Sequence, residues 1–254
     1  ESLRSIELQI PLRIYSSDAK LIAEFGEMRR SPIAFDDIPK NFIHALLAAE
    51  DDNFANHHGV DPGSLLRAAA QILKTGRIQT GGSTITMQVA KNFFLSSERS
   101  FSRKANEILL ALQIERELTK DEILELYINK IYLGNRAYGI EAASQVYYGK
   151  SINEISLAEM AMIAGLPKAP SRFNPIANPA RSMERRNWIL GRMLKLGRIS
   201  EQAYQDAIAE PLTARLHISA PDIYAPYIAE MARAEMVGKF GGQAYTDGYS
   251  VTTT

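Results

Sequence analysis

The sequence predicts a mainly α-helical protein with a little β-structure at each end. From Pro39 onward, apolar residues recur at the three-and-four spacing of helices that face a core. Capping sequences and prolines divide that stretch into separate helices. Before Pro39 the apolar residues alternate as in a strand, and residues 249–254 are rich in strand-favouring types.

The first element is predicted to be a β-hairpin. Apolar residues alternate with others over residues 6–14, which is the period of a strand. Residues 16–18, Ser-Ser-Asp, have turn chemistry, and residues 20–25 can return as a second strand.

Helix boundaries follow from capping signals along the rest of the chain. These are capping boxes at Thr119 with Glu122 and at Ser156 with Glu159, a cap before a proline at Asn178 and Pro179, and a closing Gly197. A last helix is predicted over residues 225–237, followed by a glycine-rich stretch at 238–248.

Composition limits the classes of function. The 254 residues suffice for one large domain, or for one domain with a smaller appendage. Twenty-nine basic side chains balance twenty-nine acidic ones, so no global basic excess supports a nucleic-acid partner, and we expect none. The sequence has no cysteine, which excludes disulfides, thiolate metal sites and thiol nucleophiles.

Glu50 ends the apolar stripe of a helix predicted over residues 41–50. It shares a face with Ile43, Leu46 and Leu47, and two more acids, Asp51 and Asp52, follow it. Acids are disfavoured at the negative end of a helix dipole, and burial with like-charge neighbours raises the pKa of a carboxyl. A general base near neutral pH needs such a raised pKa. The alternative is that these acids lie at the surface, where the helix frays into a loop.

Glu107 is a second acid on a stripe that faces the core. It shares its face with Arg103, Leu110, Ala111 and Ile114. An acid in that place is either part of a site or half of a buried ion pair with the arginine one turn earlier.

A Gly-Gly-Ser-Thr segment at 81–84 precedes a helical stretch at 85–92. Glycines before a helix leave backbone N–H groups open to an anion. The polar residues that accompany the segment are Ser83, Thr84, Gln88, Lys91, Asn92, Arg99, Arg103 and Lys104. The set suits a pyrophosphate better than a neutral sugar, although such a loop alone can be an ordinary turn. No Lys-Ser or Lys-Thr follows the glycines, so a nucleotide P-loop is excluded.

Two apolar segments are candidates for a membrane-facing surface. Phe93, Phe94 and Leu95 stand between Lys91 and the basic cluster. The second segment is defined by Leu65, Leu66, Ala69, Ile72 and Leu73. The alternative for both segments is packing in the core.

Five segments together resemble, in order, the five motifs of the family 51 glycosyltransferases. That family forms the polymerase half of bifunctional class A penicillin-binding proteins. The matching segments are residues 50–59, 81–92, 103–107, 120–134 and 164–175. The resemblance implies a lysozyme-like helical fold with a membrane-associating lobe. It also implies a glycosyltransferase domain over 31–210, preceded by a hairpin and juxtamembrane segment at 1–30 and followed by a linker at 211–254.

The resemblance implies roles for individual residues. Glu50 matches the general base, and Glu107 matches the second essential carboxylate. Lys91, Arg99 and Arg103 match positions that hold the donor pyrophosphate. The other residues expected to bind substrate are Ser83, Thr84, Gln88, Asn92, Lys104, Tyr127 and Asn129, the last two as supports of the cleft. Relatives can carry a divalent cation, magnesium or manganese, near the pyrophosphate, but no ligand cluster in this sequence demands a dedicated metal site.

The implied reaction joins lipid II to a glycan chain on undecaprenyl pyrophosphate, at the outer face of the bacterial cytoplasmic membrane, with moenomycin as the expected inhibitor. An N-terminal transmembrane helix before Glu1 and a transpeptidase domain after Thr254 are expected in the parent protein. Two alternatives stay open: a lysozyme-like hydrolase or lytic transglycosylase, and a non-catalytic scaffold that binds lipid II.

The sequence also carries short matches to transpeptidase motifs, which we interpret as coincidence. Residues 17–20 match S-x-x-K, residues 74–76 match K-T-G, and residues 151–153 resemble S-x-N. Their order along the chain is wrong, and the serine falls in a predicted turn.

Overall fold

The computed structural model describes residues 9–26, 28–75, 82–95, 101–217 and 222–253. Within these ranges the α-helices are α1 (Lys40–Glu50), α2 (Pro62–Thr75), α3 (Ile85–Phe94), α4 (Phe101–Glu117), α5 (Lys120–Lys130), α6 (Ile140–Tyr148), α7 (Leu157–Ala164), α8 (Pro179–Lys195), α9 (Glu201–Ala209) and α10 (Pro226–Phe240). The strands are β1 (Leu12–Tyr15), β2 (Leu21–Phe25), β3 (Arg29–Arg30), β4 (Ala137–Tyr138) and β5 (Ser250–Thr252). The predicted mainly helical class is confirmed.

The helical body is built around α7, whose residues from Ala158 to Ala164 are all buried. A helix buried on every side has no polar face, and its partners here are chiefly α1 and α8. Its start is fixed by the predicted capping box. Glu159 N–H donates to Ser156 Oγ at 3.2 Å, and Ser156 N–H donates to Glu159 Oε2 at 3.0 Å. The predicted box at Thr119 is also present, at the start of α5.

The predicted hairpin is present but shorter than expected. β1 pairs antiparallel with β2, and the polar segment between them forms the turn. The strand begins at Leu12, while Ile10 makes only an isolated bridge to Asp247. Ile6 and Leu8 lie outside the described residues. The turn also holds Ser17 of the S-x-x-K match, so that serine does not open a helix.

The two ends of the chain meet in one small sheet. β5 pairs in parallel with β1, which gives the strand order β2-β1-β5. A second hydrophobic cluster, separate from that of the helical body, lies beneath this sheet and contains Leu12, Ile14, Ile22 and Ala229. The division of the chain at residues 30 and 210 stays a prediction. Residues from before position 30 and from after position 210 pack together in this second cluster.

Two helix ends differ from the sequence prediction. α10 continues through Gly238 to Phe240, three residues past the predicted end, and residues 241–245 form a 3-10 helix. Asn178 makes no side-chain cap, because its Nδ2 donates to the carbonyl of Ser171 at 3.0 Å. Pro179 still occupies the first turn of α8 as expected, and Gly197 follows the helix with φ of 65°.

Several apolar side chains on the described helices are exposed. Leu66 on α2 is 71% exposed, and Leu109 on α4 is 64% exposed. Phe94 at the end of α3 is also exposed, whereas Phe93 and Leu95 are half-buried. Among the described residues, no helix has both the length and the apolar character needed to cross a bilayer. The membrane-associating lobe stays a prediction.

We expect Leu12→Ala to loosen the small sheet selectively. Leu12 is fully buried in the second cluster, and such a truncation costs roughly 2–5 kcal/mol. Amide hydrogen exchange should quicken in β1, β2, β5 and α10 while α7 stays protected. Ile163→Ala, in the core of the helical body, is the matched control. Equal loss of protection in both regions would mean that the two clusters unfold together.

Candidate active site

A cleft of about 660 Å³ opens beside the C-terminal end of α1. Glu50 lies between two walls. One wall comes from α3 and α4 and carries Ser83, Gln88, Lys91, Arg103, Lys104 and Glu107; the other carries Pro167, Lys168, Arg185 and Trp188. The lining thus includes five cationic side chains and two carboxylates, in a chain with no net charge. Much of the predicted site is brought together in this one cleft.

Glu50 is the last residue of α1, and its side chain is only 12% exposed. The fully buried face of the helix is formed by Phe42, Ala45, Leu46 and Ala48, so Glu50 lies at the edge of the core. Burial raises the pKa of Glu50 above its ordinary value of 4.5. A hydrogen bond from Gln88 and the charges of Arg185 and Lys168 oppose part of that rise in the pKa. Its surroundings thus resemble those of a general base rather than those of a frayed surface acid.

A short chain of hydrogen bonds orients the Glu50 carboxylate. Gln88 Nε2 donates to Glu50 Oε2 at 3.1 Å, and Tyr127 Oη donates to Gln88 Oε1 at 3.2 Å. Tyr127 is buried, and burial together with Glu50 raises its pKa well above 10, so the hydroxyl keeps its proton. Tyr127 is therefore a support behind the cleft, in line with its expected role.

The two acids after Glu50 have different roles. Asp51 is buried, and its Oδ2 accepts hydrogen bonds from His57 Nε2 at 2.9 Å and from the N–H of Ile85 at 3.0 Å. Asp52 is more exposed and pairs with Arg192 on α8. Asp51 thus fastens α1 to α3, while Asp52 lies outside the cleft lining.

At the N-terminal end of α3, two backbone N–H groups of the predicted anion site already have partners within the protein. The N–H of Ile85 is taken by Asp51, and the N–H of Met87 donates to Thr84 Oγ1 at 3.1 Å. The same hydroxyl donates to the carbonyl of Gly59 at 2.6 Å, so Thr84 is a buried helix cap. Gly81 lies outside the described residues. The cationic side chains of the wall provide contacts for an anion that these two N–H groups do not offer.

Glu107 is paired within that wall. Its side chain is 5% exposed, and Lys104 Nζ donates to its Oε2 at 2.6 Å. Lys104 Nζ also donates to Ser83 Oγ at 2.7 Å. Glu107 thus pairs with the lysine three residues earlier, and Arg103, the partner that the sequence suggested, lines the same cleft. Arg99 lies outside the described residues.

Besides Thr84 and Tyr127, two further predicted substrate-binding residues lie away from the cleft lining. Asn92 is exposed on α3. Asn129 is buried, and it holds the backbone of Ile33 by one bond to the N–H at 2.9 Å and one to the carbonyl at 2.8 Å. Asn129 therefore supports the fold around the cleft, which agrees with a supporting role and not with a contact to substrate.

The second wall of the cleft, which carries Lys168, Arg185 and Trp188, was not predicted from the sequence. Arg185 is buried, its Nη2 lies 3.6 Å from Glu50 Oε1, and its guanidinium lies 4.4 Å from the Trp188 ring centroid. Burial lowers the pKa of Lys168. A local signal existed, since Arg185, Trp188 and Arg192 recur at helical spacing on one face of α8. Only the fold, however, brings that face to Glu50.

The fold and the cleft define a helical enzyme with a buried carboxylate beside cationic side chains, which suits group transfer from an anionic sugar donor. A family model described as Transglycosylase matches residues 18–194. The chain belongs to this family, the family 51 peptidoglycan glycosyltransferases that the five motifs indicated.

Individual relatives agree with this membership. Penicillin-binding protein 1A of Pseudomonas aeruginosa is 75% identical over 254 residues, covering 100% of this chain and 31% of that protein. The protein of the same name from Escherichia coli K12 is 51% identical over 253 residues, covering 100% and 30%. A crystal structure of penicillin-binding protein 1A from Haemophilus influenzae is 38% identical, with a TM-score of 0.54, over 98% of this chain and 27% of that one. The chain spans about a third of the length of these relatives.

We expect Asp51→Ala to destabilise the domain strongly. The change removes a buried acceptor of two hydrogen bonds, and each donor left buried costs roughly 1–3 kcal/mol. Urea unfolding should therefore show a loss of at least about 2 kcal/mol. Asp52→Ala breaks a partly exposed ion pair and should cost about 1 kcal/mol or less. Equal losses in the two variants would contradict the anchoring role of Asp51.

Proposed function

We propose that this domain polymerises lipid II into β-1,4-linked glycan with Glu50 as the general base. One observation carries the proposal: a buried carboxylate opens into a cleft whose described lining has five cations and only one other acid. A base must accept a proton, and the leaving group of a lipid pyrophosphate donor must be stabilised by positive charge. This cleft offers both within one volume of about 660 Å³.

In the proposed reaction, Glu50 takes the proton from the 4-hydroxyl of the acceptor GlcNAc. The oxygen attacks the anomeric carbon of the donor MurNAc from the face opposite the pyrophosphate. A new C–O bond forms as the bond from that carbon to the pyrophosphate breaks, so the configuration inverts. Undecaprenyl pyrophosphate leaves with the electron pair, and the proton remains on Glu50 until solvent removes it.

Lys91 and Arg103 are proposed to stabilise the departing pyrophosphate. Arg99 is proposed for the same role, because it matches a pyrophosphate-binding position of the family. Negative charge grows on the pyrophosphate in the transition state, and fixed cations in a partly dry cleft are most effective against growing charge. Lys91 and Arg103 lie on the same wall as Gln88, which touches the base. Glu107 is proposed to position this wall by holding Lys104 beside Ser83.

A divalent cation near the pyrophosphate is proposed to use Glu107 as its protein ligand. In the described part of the chain, no group of three or more His, Cys, Asp or Glu is arranged to hold a metal ion. Magnesium, however, is commonly bound by one or two carboxylates together with substrate phosphates, and one carboxylate on this wall fits that pattern. The ion would supply further neutralisation of the leaving group.

The same geometry disfavours the alternative of cutting finished glycan. Glycosidases of the usual kinds employ two carboxyl groups, one of which must protonate the leaving oxygen. Here Glu107 is held in an ion pair with Lys104 at 2.6 Å, so it already belongs to the cationic wall. A neutral glycan also gives the lysines and arginines nothing to bind. The scaffold alternative gives no reason for the raised pKa of Glu50.

The expected location is the outer face of the cytoplasmic membrane, with the transpeptidase domain as a neighbour in the parent protein. The relatives named penicillin-binding protein 1A support this setting, since this chain corresponds to only 31% and 30% of their lengths. The exposed Leu66, Leu109 and Phe94 would provide an apolar surface for lipid contact.

Glu50→Gln should abolish most polymerisation. The amide keeps the size of the side chain but cannot take a proton, and general-base catalysis contributes about 10²–10⁴-fold. Glycan formed from labelled lipid II should fall by at least about 10²-fold, while Asp52→Asn, outside the cleft, should stay close to wild type.

The same assay tests the alternatives. Wild-type chain should build polymer from lipid II, be blocked by moenomycin, and release no fragments from finished glycan. Near wild-type polymerisation by Glu50→Gln would show that another group is the base. Fragment release from finished glycan would favour the hydrolase alternative, and binding of lipid II without turnover would favour the scaffold.

The pH dependence should report the raised pKa of Glu50. Protonation removes the base, so kcat/KM should fall as the pH drops through the pKa of Glu50 in the free enzyme. Because burial raises that pKa, the midpoint of the acid limb should lie above 4.5. Initial rates measured from pH 4 upward, with unfolding followed in parallel, check this. A midpoint of the acid limb at or below 4.5 would contradict a raised pKa of the buried Glu50.

A further inference from the structure

We propose that Arg185 is a positioning residue that orients the Glu50 carboxylate and keeps it ionised in its buried place. The proposal rests on the proposed role of Glu50 as the base. Arg185 Nη2 lies 3.6 Å from Glu50 Oε1 and donates to the carbonyl of Ala49 at 3.3 Å. The guanidinium therefore contacts both the base and the backbone of the residue before it, at the end of α1.

The surroundings of Arg185 hold its guanidinium in place. Its carbon Cζ lies 4.4 Å from the centroid of Trp188 and 5.9 Å from that of Phe173. Arginine is attracted to aromatic faces at such distances. Trp188 is 48% exposed and lines the cleft, and its ring packs against the buried Arg185, which contacts Glu50. Less solvent around a charge pair means less screening of it.

The groups that face Glu50 divide into those that favour its charge and those that oppose it. Arg185 on α8 and Lys168 in the loop after α7 favour the ionised carboxylate. Gln88 on α3 donates a hydrogen bond to it, whereas Asp51, the residue directly after α1, and the burial itself disfavour the charge. Tyr127 on α5 acts through Gln88. Among these groups, Arg185 combines a permanent charge with a direct contact to the end of α1.

Gly165, in the fifth motif, provides the space for Arg185. A Cβ added at this position would lie 2.9 Å from Arg185 Cγ, which is too close for two carbon atoms. The φ of this residue is −82°, so backbone strain does not explain the glycine. Gly165→Ala therefore displaces Arg185 without changing its chemistry, and it offers a second, independent way to disturb the contact.

The neighbouring Arg192 provides a matched control. It lies two turns further along α8, near the same Trp188 ring at 6.0 Å, and it also pairs with an acid after α1, Asp52. It does not line the cleft. If the arginines of α8 only dock this helix against α1, Arg185 and Arg192 should behave alike.

The test is the pH profile of lipid II polymerisation in the whole chain. For Arg185→Gln we expect the acid limb of kcat/KM to move to higher pH by about one unit or more, since an opposite charge nearby shifts a carboxyl by about 1–3 units. Arg185→Lys should keep the acid limb close to its wild-type position, because the positive charge remains. It should lower kcat, because lysine lacks the planar guanidinium that orients the carboxylate. Gly165→Ala should move the limb in the same direction as Arg185→Gln. Arg192→Gln should leave the limb unchanged.

The outcomes separate the two proposals. If Glu50→Gln is inactive while Arg185→Gln, Arg192→Gln and Gly165→Ala all keep the wild-type limb, Arg185 does not position the base, and only this inference fails. If Glu50→Gln is active, the assignment of the base fails and this inference fails with it. If Arg185→Gln does not fold, Gly165→Ala alone decides. An acid limb of kcat/KM in Gly165→Ala that coincides with that of the wild type would then overturn the inference.

Discussion

Asp51 accepts hydrogen bonds from the first residue of α3 and from His57, and the arrangement of the cleft follows from these two bonds. Its carboxylate lies at the N-terminal end of α3, where the helix dipole favours negative charge. The residue before it in the chain is Glu50, and the residue three positions after Ile85 is Gln88. One buried contact therefore sets the separation of the proposed base and the amide that orients it. Thr84 adds a further contact at the start of α3, because its hydroxyl donates a hydrogen bond to the carbonyl of Gly59.

The electrostatics of Glu50 are a balance between its place in the fold and its neighbours. Burial at the end of α1 disfavours the charged carboxylate, whereas Gln88, Arg185 and Lys168 favour it. A carboxyl with burial alone would stay protonated and could not accept a proton, and a fully solvated one would be too weak a base. The two walls of the cleft thus have separate tasks. In the proposed reaction, α8 and the loop before it would adjust the base, and α3 with α4 would receive the leaving group.

The sequence predicted the helical class, both capping boxes, the hairpin and the place of Glu50 at the end of a partly buried helix, because these depend on local chemistry or on periodic burial. It could not predict what fills the start of α3, because the acceptor for the Ile85 N–H comes from Asp51, thirty-four residues earlier. The bond between Lys104 and Glu107 was not predicted either. Arg103 and Lys104 both lie within reach of Glu107 along the helix, and only the fold shows that Lys104 also bonds Ser83 on the same wall. The contact between Arg185 and Glu50 could not be predicted, because α8 approaches α1 only through tertiary packing.

The distribution of charge also bears on how substrate reaches the cleft. The whole chain carries equal numbers of acidic and basic residues, whereas the cleft lining has five cations against two acids. At physiological ionic strength exposed charges act over only about 8 Å, so this local excess cannot guide an anion from afar. A long-range field would require a net charge that the chain lacks. The arrangement therefore suits a donor that is already held close to the cleft. A lipid-anchored pyrophosphate would be held in this way if the exposed Leu66 on α2 and Leu109 on α4 contact the membrane. Capture would then depend on where the domain sits on the lipid surface, and the cations would act only after the pyrophosphate has entered.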